Sequence, residues 1–436
     1  MSKEAPFPLP LRATGRPRVV IVGGGFGGLS AARALRRARV DVVLVDRRNH
    51  HLFQPLLYQV ATAGLSPGDI ASPIRYVLRG QPNVQVLLAE AQAVDVQRKV
   101  VRLDIGDLPY DAVIIAAGAT HSYFGHDQWS AAAPALKTLD DALTIRREVL
   151  LAFERAERTA DGREQRRLLT FVVIGGGPTG VEMAGALAEI ARHALRREFR
   201  EIFPESARVV LLEGAPTLLA AFPEPLRRYA EEALRELGVE VRLGAQVTEV
   251  EPGRVRIGEE TIDAATIIWA AGVAASPLGR GLGVPVDRAG RVKVRPDLTI
   301  PGRDDVYVVG DLAAFDAGDG RLLPGVAQVA MQQAAWAARN VLATLRGAPR
   351  APFVYRNLGN LATIGRARAV ADLGRVRLRG SPAWLFWLFV HIWQLTGFRN
   401  RIVVFVQWTF AYFTYQRSIR LITGDETASS VRPSAP

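Results

Sequence analysis

The chain has 436 residues, 49% of them hydrophobic, carries a net charge of +12, and contains no cysteine. That length and apolar content suit two to three packed domains and exclude a disordered chain. The absence of cysteine excludes disulfides, thiolate metal sites and thiol nucleophiles. The six histidines, His50, His51, His121, His126, His193 and His391, show no zinc-type spacing, so no metal is expected. Residues 1–16 are proline-rich without a long apolar run and read as a loose tail rather than a signal peptide.

The first element is Val19-Val-Ile-Val-Gly23-Gly24-Gly25-Phe26-Gly27-Gly28, a β-branched run passing through G-x-G-x-x-G into a helical segment. This pattern sets a pyrophosphate on the amides of a helix N-terminus, with one glycine to turn the chain, one to admit the phosphate and one for close helix–strand packing. Asp41-Val-Val-Leu-Val-Asp46 follows, and Asp46 lies 18 residues beyond Gly28, where a carboxylate can accept from an adenosine ribose. Residues 84–88 and 100–103 alternate as strands, and Ala112-Val-Ile-Ile-Ala-Ala-Gly118 reads as a buried parallel strand ending on glycine. Residues 140–164 read as a charged amphipathic helix and linker.

Phe171-Val-Val-Ile-Gly175-Gly176-Gly177-Pro178-Thr179-Gly180 repeats the first fingerprint 152 positions on. A single copy could be a structural turn, whereas two copies, each after a strand, argue for two dinucleotides. Arg208-Val-Val-Leu-Leu-Glu213 supplies the second carboxylate, 33 residues beyond Gly180, so the connecting helix is expected to extend through 192–205. Gly214 and Ala215 follow Glu213 with no arginine to receive a 2′-phosphate, which favours NADH over NADPH. A surface carboxylate after a strand is the plain alternative. Strands at 239–244, 247–250 and 255–257 precede Ala265-Thr-Ile-Ile-Trp-Ala-Ala-Gly272, the counterpart of the strand ending at Gly118. The second half therefore duplicates the first. The chain then returns at Asp305-Val-Tyr-Val-Val-Gly310-Asp311, as if the second module were inserted in the first; Asp311 could bond a ribityl or ribose hydroxyl, or cap a turn.

Together these residues resemble the two-dinucleotide-binding-domain flavoproteins and, within them, the type II NADH dehydrogenases, single-subunit, non-pumping NADH:quinone oxidoreductases. The resemblance runs from about residue 18 to 422. Its more specific parts are Asn49-His-His-Leu-Phe-Gln-Pro-Leu-Leu-Tyr-Gln-Val-Ala61, residues 175–185 and 307–311, Ala327-Gln-Val-Ala-Met-Gln332, and Gly397-Phe-Arg-Asn-Arg401. It implies an α/β fold of two Rossmann-like, glutathione-reductase-like domains. The expected boundaries are a tail at 1–16, an FAD domain at 17–139 and 276–380, a helical linker at 140–165, an NADH domain at 166–275, C-terminal helices at 381–422 and a tail at 423–436.

The resemblance also implies non-covalent FAD on the first fingerprint. Gly25 and Gly28 would meet its pyrophosphate, Asp46 its adenosine ribose and Asp311 its ribityl side, while Gly23, Phe26, Gly27, Arg47, Pro55, Val94, Gly118, Ala327 and Gln328 complete the set. NADH would occupy Gly175, Gly177, Pro178, Thr179, Gly180, Glu182, Glu213 and Gly272. Hydride transfer requires nicotinamide and flavin stacked at about 3–3.5 Å, with no protein nucleophile. Glu182 would orient the nicotinamide or assist proton movement, although an acidic residue in a first helical turn is also stabilised by the macrodipole. Gln328 and Gln332, four apart on one helical face, would form the quinone-side wall, with Gln54, Pro55 and Tyr58 as a second contribution. From spacing alone the same pattern fits an ordinary packed helix with two solvated glutamines.

Residues 383–395 and 402–415 are strongly apolar, rich in Trp and Tyr, and too short for the roughly 20 residues that span hydrocarbon. From 375 onward eight arginines (375, 377, 379, 399, 401, 417, 420 and 432) face only Asp425 and Glu426. The pattern fits an amphipathic anchor lying in an anionic membrane interface, with burial in a core or homodimer interface as the rival. The expected protein is peripheral, on the cytoplasmic face of the cell membrane, passing electrons to ubiquinone or menaquinone and binding no nucleic acid. A soluble ferredoxin- or rubredoxin-type reductase and a flavin-bearing interaction protein akin to apoptosis-inducing flavoproteins are the competing classes.

Overall fold

The computed structural model describes residues 9, 11, 14–196, 198–318, 320–396, 398–414 and 420–423, without the side chains of 398, 399 and 410–414. Most of the tails expected at 1–16 and 423–436, together with Arg417, Arg432 and the Arg399 side chain, lies outside the described residues.

Two compact units emerge. One comprises residues 1–52, 71–122 and 273–358; the other comprises 53–70, 123–272 and 359–436. This division differs from the expected nucleotide-domain boundaries, because 53–70 and the segment from 359 onward pack with the second fingerprint.

The first unit is built on a six-stranded sheet in the order Thr299–Ile300, Arg303–Val308, Ala112–Ile115, Arg18–Val22, Asp41–Asp46, Val84–Leu88. All its pairings are parallel except the terminal hairpin. Strands buried on both faces carry continuous β-branched runs, as these do. Alternation divides their side chains. Val19, Ile21, Leu44 and Ile114 pack with Leu29 of helix Phe26–Ala34 and Val329 of helix Ala327–Leu345. Val20, Val22, Val43 and Ile115 pack instead on Val94, Val101 and Leu108 of the antiparallel meander Ala91–Asp95, Val100–Leu103, Gly106–Pro109.

The second unit repeats this plan with a parallel sheet in the order Val239–Leu243, Arg208–Glu213, Thr170–Ile174, Thr266–Trp269. In both sheets the fingerprint strand lies between its carboxylate strand and the strand that ends near Gly118 or Gly272. In both a three-stranded meander precedes that last strand, here Glu249–Glu251, Arg254–Ile257 and Glu260–Asp263. The duplication read in the sequence is therefore architectural. The charged stretch at 140–164 forms helix Leu139–Glu157, with a capping box between Thr138 and Asp141, and a second helix, Gly162–Leu168.

One expectation is corrected. The fingerprint helix Pro178–Glu189 does not extend through 192–205; it passes into a single π-type turn, Ile190–Ala194, and then into an irregular segment ending at Pro204–Ser206. Pro204 has no amide hydrogen for a helix ladder.

After residue 359 the chain forms an antiparallel sheet, Asn360–Gly365, Arg368–Asp372 and Arg377–Arg379, and then helices Ser381–Gln394 and Phe398–Thr414. Gly185 is what lets the first of these strands lie against the fingerprint helix, since a Cβ there would overlap the Ile364 carbonyl oxygen. Among the described residues no helix is long and apolar enough to cross a membrane.

Candidate functional site

In the first unit the fingerprint loop is held by its own glycines. A Cβ on Gly28 would overlap the Gly23 carbonyl oxygen, so only glycine lets the helix start against the strand end. At the helix start Gly25 is exposed, has nothing within 4 Å of an added Cβ, and supplies no capping side chain. The first-turn amides are thus open to an anion. Asp46 shapes the loop from the adjacent strand: Oδ2 accepts from the Gly24 amide at 2.6 Å and Oδ1 from the Arg48 amide at 2.7 Å. Arg47 is exposed and pairs with Glu90 at 3.4 Å, Val94 is a core residue of the meander, and Gly118 takes a left-handed turn.

His51 was not assigned a role from sequence, yet it braces the same loop. Its Nδ1 lies 3.2 Å from the Gly24 carbonyl oxygen, its ring meets Phe26 edge-on at 5.1 Å, and burial lowers its pKa to about 4. A neutral histidine therefore supports the loop throughout the physiological range.

The second unit reproduces the cradle. Gly177 is an uncapped helix start with open space around it, Pro178 and Thr179 are exposed in the first turn, and a Cβ on Gly180 would overlap the Gly175 carbonyl oxygen. Glu213 Oε2 accepts from the Gly176 amide at 2.5 Å and Oε1 from the Ala215 amide at 2.7 Å. The match to Asp46 is one for one: in each copy a strand-end carboxylate accepts from the second glycine and from the residue two beyond itself. An anionic group so fixed opposes a 2′-phosphate. Glu213→Gln is expected to narrow the preference for NADH over NADPH about tenfold, read as the ratio of kcat/KM values, mostly through a lower KM for NADPH.

At the end of strand Arg303–Val308, Gly310 adopts φ +72° and its amide donates to Oε1 of fully buried Gln333 at 2.7 Å, which fixes the turn carrying Asp311. The helix Ala327–Leu345 that supplies Gln333 also supplies Ala327, Gln328 and Gln332. Gln328 Oε1 accepts from the Leu358 amide at 3.0 Å, and Gln332 bonds both the amide and the carbonyl of Arg356 at 3.0 and 2.9 Å. These two glutamines thus clamp the segment 356–358 to the helix.

The second unit also holds a half-open cavity of about 130 Å³ whose wall includes Tyr58, Gln59, Glu182, Ala186, Thr363 and the indoles of Trp384, Trp387 and Trp408. Glu182 is half-buried in that wall, two residues along the helix from Gly180. Burial pushes its pKa up to about 8, against the weaker pull of the Thr363 amide at 3.4 Å. The carboxyl is therefore mostly protonated at neutral pH, in a cavity that mixes indoles with polar groups and is large enough for a small flat ring. Gln54 and Pro55 lie in the short turn Gln54–Leu56 that leads into the helix carrying Tyr58.

Residues 17–334 match the family model of the pyridine nucleotide-disulphide oxidoreductases, and residues 357–417 match the NDH2 C-terminal domain. The chain is 46% identical over 433 residues to the type II NADH:quinone oxidoreductase Ndh of Mycobacterium tuberculosis, covering 96% of this chain and 92% of that protein. The chain belongs to the type II NADH:quinone oxidoreductases. The NdhA protein of the same organism is 47% identical over 432 residues, covering 95% and 91%. The structure of NDH2 from Plasmodium falciparum in complex with NADH shares the fold at a TM-score of 0.85 and 22% identity, covering 94% of this chain and all of that one.

Within this family the NDH2 C-terminal match includes two of the cavity helices. Trp384, Trp387 and Trp408 stand on Ser381–Gln394 and Phe398–Thr414. Sequence reading took those helices as an interfacial anchor, with burial as the rival, that would in either case shape the entrance for a lipid-soluble quinone; it did not single out these three indoles. The available signal was the aromatic density of 384–393, which surface exposure alone does not require: Trp387 is 2% exposed, stacks on His391 at 4.3 Å and packs 5.3 Å from Trp408.

Proposed function

We infer that the protein is an FAD-dependent, non-proton-pumping NADH:quinone oxidoreductase whose quinone ring enters the cavity beside Glu182. The geometry that carries the site assignment is the half-buried Glu182 carboxyl, on the helix of the second fingerprint, facing a cavity of ring size lined in part by indoles, where desolvation raises its pKa to about 8. The first fingerprint fits the pyrophosphate of FAD, because Gly25 leaves its helix start open where a side chain would otherwise stand. When bound, FAD accepts hydride from NADH and supplies two electrons to the quinone.

The chain's own contribution is placement and protons. Gly175, Gly177 and Gly180 seat the NADH pyrophosphate, Glu213 receives its adenosine ribose, and Gly272 closes the adjoining strand end. Gly23, Gly27 and Gly28 with Asp46 do the same for FAD, while Asp311 reaches the ribityl side from a turn held by Gln333. Gln328 and Gln332, held by their bonds to 356–358, are proposed beside the flavin ring rather than on the wall of the Glu182 cavity. Glu182 holds a proton at neutral pH that a reduced quinone oxygen can take.

The C-terminal helices supply the route to a lipid-soluble substrate. Leu385, Phe389 and Trp393 are spaced on one face of Ser381–Gln394 and exposed at 59, 62 and 66%, and Ile402, Phe405 and Val406 are likewise exposed on Phe398–Thr414. With 14 and 17 residues the helices are about 21 and 26 Å long, short of the hydrocarbon thickness of about 30 Å. An apolar face of this kind beside arginines suits a helix lying in an anionic membrane surface, on the cytoplasmic side where NADH is found.

Substituting Leu385, Phe389 and Trp393 together by Asp is expected to lower co-flotation with anionic vesicles at least tenfold. If binding is unchanged but the protein no longer sediments as a dimer, the face belongs to a second copy instead. The function itself is read from an absorbance spectrum of the purified protein. Anaerobic NADH should bleach a flavin band, and added quinone should restore it; a protein that cannot be loaded with FAD ends this reading.

A further inference from the structure

Each fingerprint opens with three consecutive glycines, Gly23–Gly25 and Gly175–Gly177, the residue type that restrains a backbone least. Three matching bonds hold the first two glycines of each triplet. The first-glycine amide donates to the neighbouring strand, Gly23 to the Val45 carbonyl oxygen at 2.8 Å and Gly175 to that of Leu212 at 2.7 Å. The second-glycine amide donates to the strand-end carboxylate, Gly24 to Asp46 and Gly176 to Glu213.

The third bond falls on the carbonyl oxygen of the second glycine, and here the two units differ. The donor to Gly176 is the backbone amide of Leu219 at 2.9 Å, whereas the donor to Gly24 is Nδ1 of His51 at 3.2 Å. A carbonyl oxygen only accepts, so the proton of the neutral imidazole sits on Nδ1. Both donors are held at a cost. Leu219 is buried at φ +48°, a left-handed backbone that leucine rarely adopts, and His51 is 3% exposed, where an imidazole is unfavourable unless bonded. Two chemically unrelated donors on the same oxygen mark its direction as what each fold is holding.

A trans peptide sets its C=O and N–H in opposite directions. The grip on the Gly24 oxygen therefore turns the Gly25 N–H away from His51, at the open start of helix Phe26–Ala34. We propose that His51 is a positioning residue for FAD, which through the Gly24 carbonyl aims the Gly25 amide at the pyrophosphate. This rests on the first fingerprint being the flavin site. Without the bond the Gly24–Gly25 peptide, which has no side chain on either side, can rotate and turn its oxygen toward the phosphates, replacing a hydrogen bond by a repulsion.

The test dilutes the FAD-loaded full chain and reads released flavin by its fluorescence. Asparagine carries its NH2 on the carbon that carries Nδ1 in histidine, so His51→Asn keeps a donor for Gly24 while losing most of the ring. His51→Phe does the reverse, keeping a ring against Phe26 with no donor. The Kd for FAD is expected to rise about tenfold in His51→Phe, the effect of one hydrogen bond, and to stay within about threefold of the native value in His51→Asn. A packing role requires the opposite order, phenylalanine tighter than asparagine; that result overturns the proposal.

ADP as a competitor locates the effect, because it carries the pyrophosphate without the isoalloxazine. FAD and ADP should weaken together, so the ADP concentration that displaces half of a saturating amount of FAD should be the same in native protein and His51→Phe. If about tenfold less ADP suffices in the variant, His51 serves the ring end of FAD and the proposal fails. Thermal melts check folding, and His51→Leu, with the same expected rise in Kd, takes the place of His51→Phe if that variant does not fold. Gly28→Ala separates the two readings. If Gly28→Ala loads FAD normally, the first fingerprint is not the flavin site; if it cannot be loaded while His51→Phe and His51→Leu bind FAD as tightly as native protein, only the role of His51 fails.

Discussion

Replacing Gly180 by alanine should give a yellow protein that NADH no longer bleaches. The added Cβ would overlap the Gly175 carbonyl oxygen, a backbone atom that cannot swing aside, so the helix start must shift away from the strand. The amides proposed to meet the pyrophosphate shift with it, and KM for NADH is expected to rise at least about 100-fold, about 2.7 kcal/mol. Gly28→Ala meets the same obstruction from the Gly23 carbonyl oxygen and should yield a colourless protein even when FAD is abundant. The pair tests which fingerprint holds which dinucleotide: flavin lost with Gly180→Ala and kept with Gly28→Ala would reverse the assignment. Gly25→Ala and Gly177→Ala provide the control for strain. A Cβ at either place meets nothing within 4 Å, so thermal stability should hold and any loss of affinity reports on the ligand alone.

The duplicated plan was legible in the sequence because it rests on local signals. β-Branched runs, glycines at strand ends and a carboxylate closing the next strand are each set by a few neighbouring residues. The same reasoning overextended the helix after Gly180. It converted a long spacing to Glu213 into helix length, whereas the chain took up the surplus in a π-type turn and an irregular segment ending at Pro204. The grouping of 53–70 with residues 359 onward was not legible, since it depends on contacts far apart in sequence. Asn400 bonding the Gly68 carbonyl and Trp408 bonding Gln59 are such contacts, and neither partner carries a motif that announces the other.

The roles of individual side chains divide on the same line. Asp46 and Glu213 were placed correctly at their strand ends, and their bonds to the Gly24 and Gly176 amides show that they shape the loops, a part the proposed ribose role did not include. His51 and Gln333 went unassigned because one histidine beside another and one glutamine beside another offer no pattern. Their significance lies in the backbone group each one meets, Gly24 for His51 and Gly310 for Gln333. Tyr58 was named through resemblance, but only the assembled cavity puts it on the wall that Glu182 also lines.

Glu182→Gln should cut quinone turnover by about 100-fold or more, the usual contribution of a positioned proton donor, while NADH still bleaches the flavin. In the native enzyme the acid is protonated below its pKa of about 8, so quinone turnover is expected to fall as pH rises through that value, and the variant should lose this limb. Stability supplies an independent check with a definite sign. The folded protein keeps a proton that the unfolded chain releases above about 4.5, so the acid lowers stability progressively from there to about pH 8 and by a constant amount beyond. Glutamine has no such penalty. The melting temperature of the Glu182→Gln apoprotein should therefore match the native one near pH 4.5 and exceed it increasingly toward pH 8, by the equivalent of about 2–4 kcal/mol. A variant with native quinone turnover would remove the proton role, whereas a melting difference that does not grow with pH would show that burial leaves this carboxyl ionised.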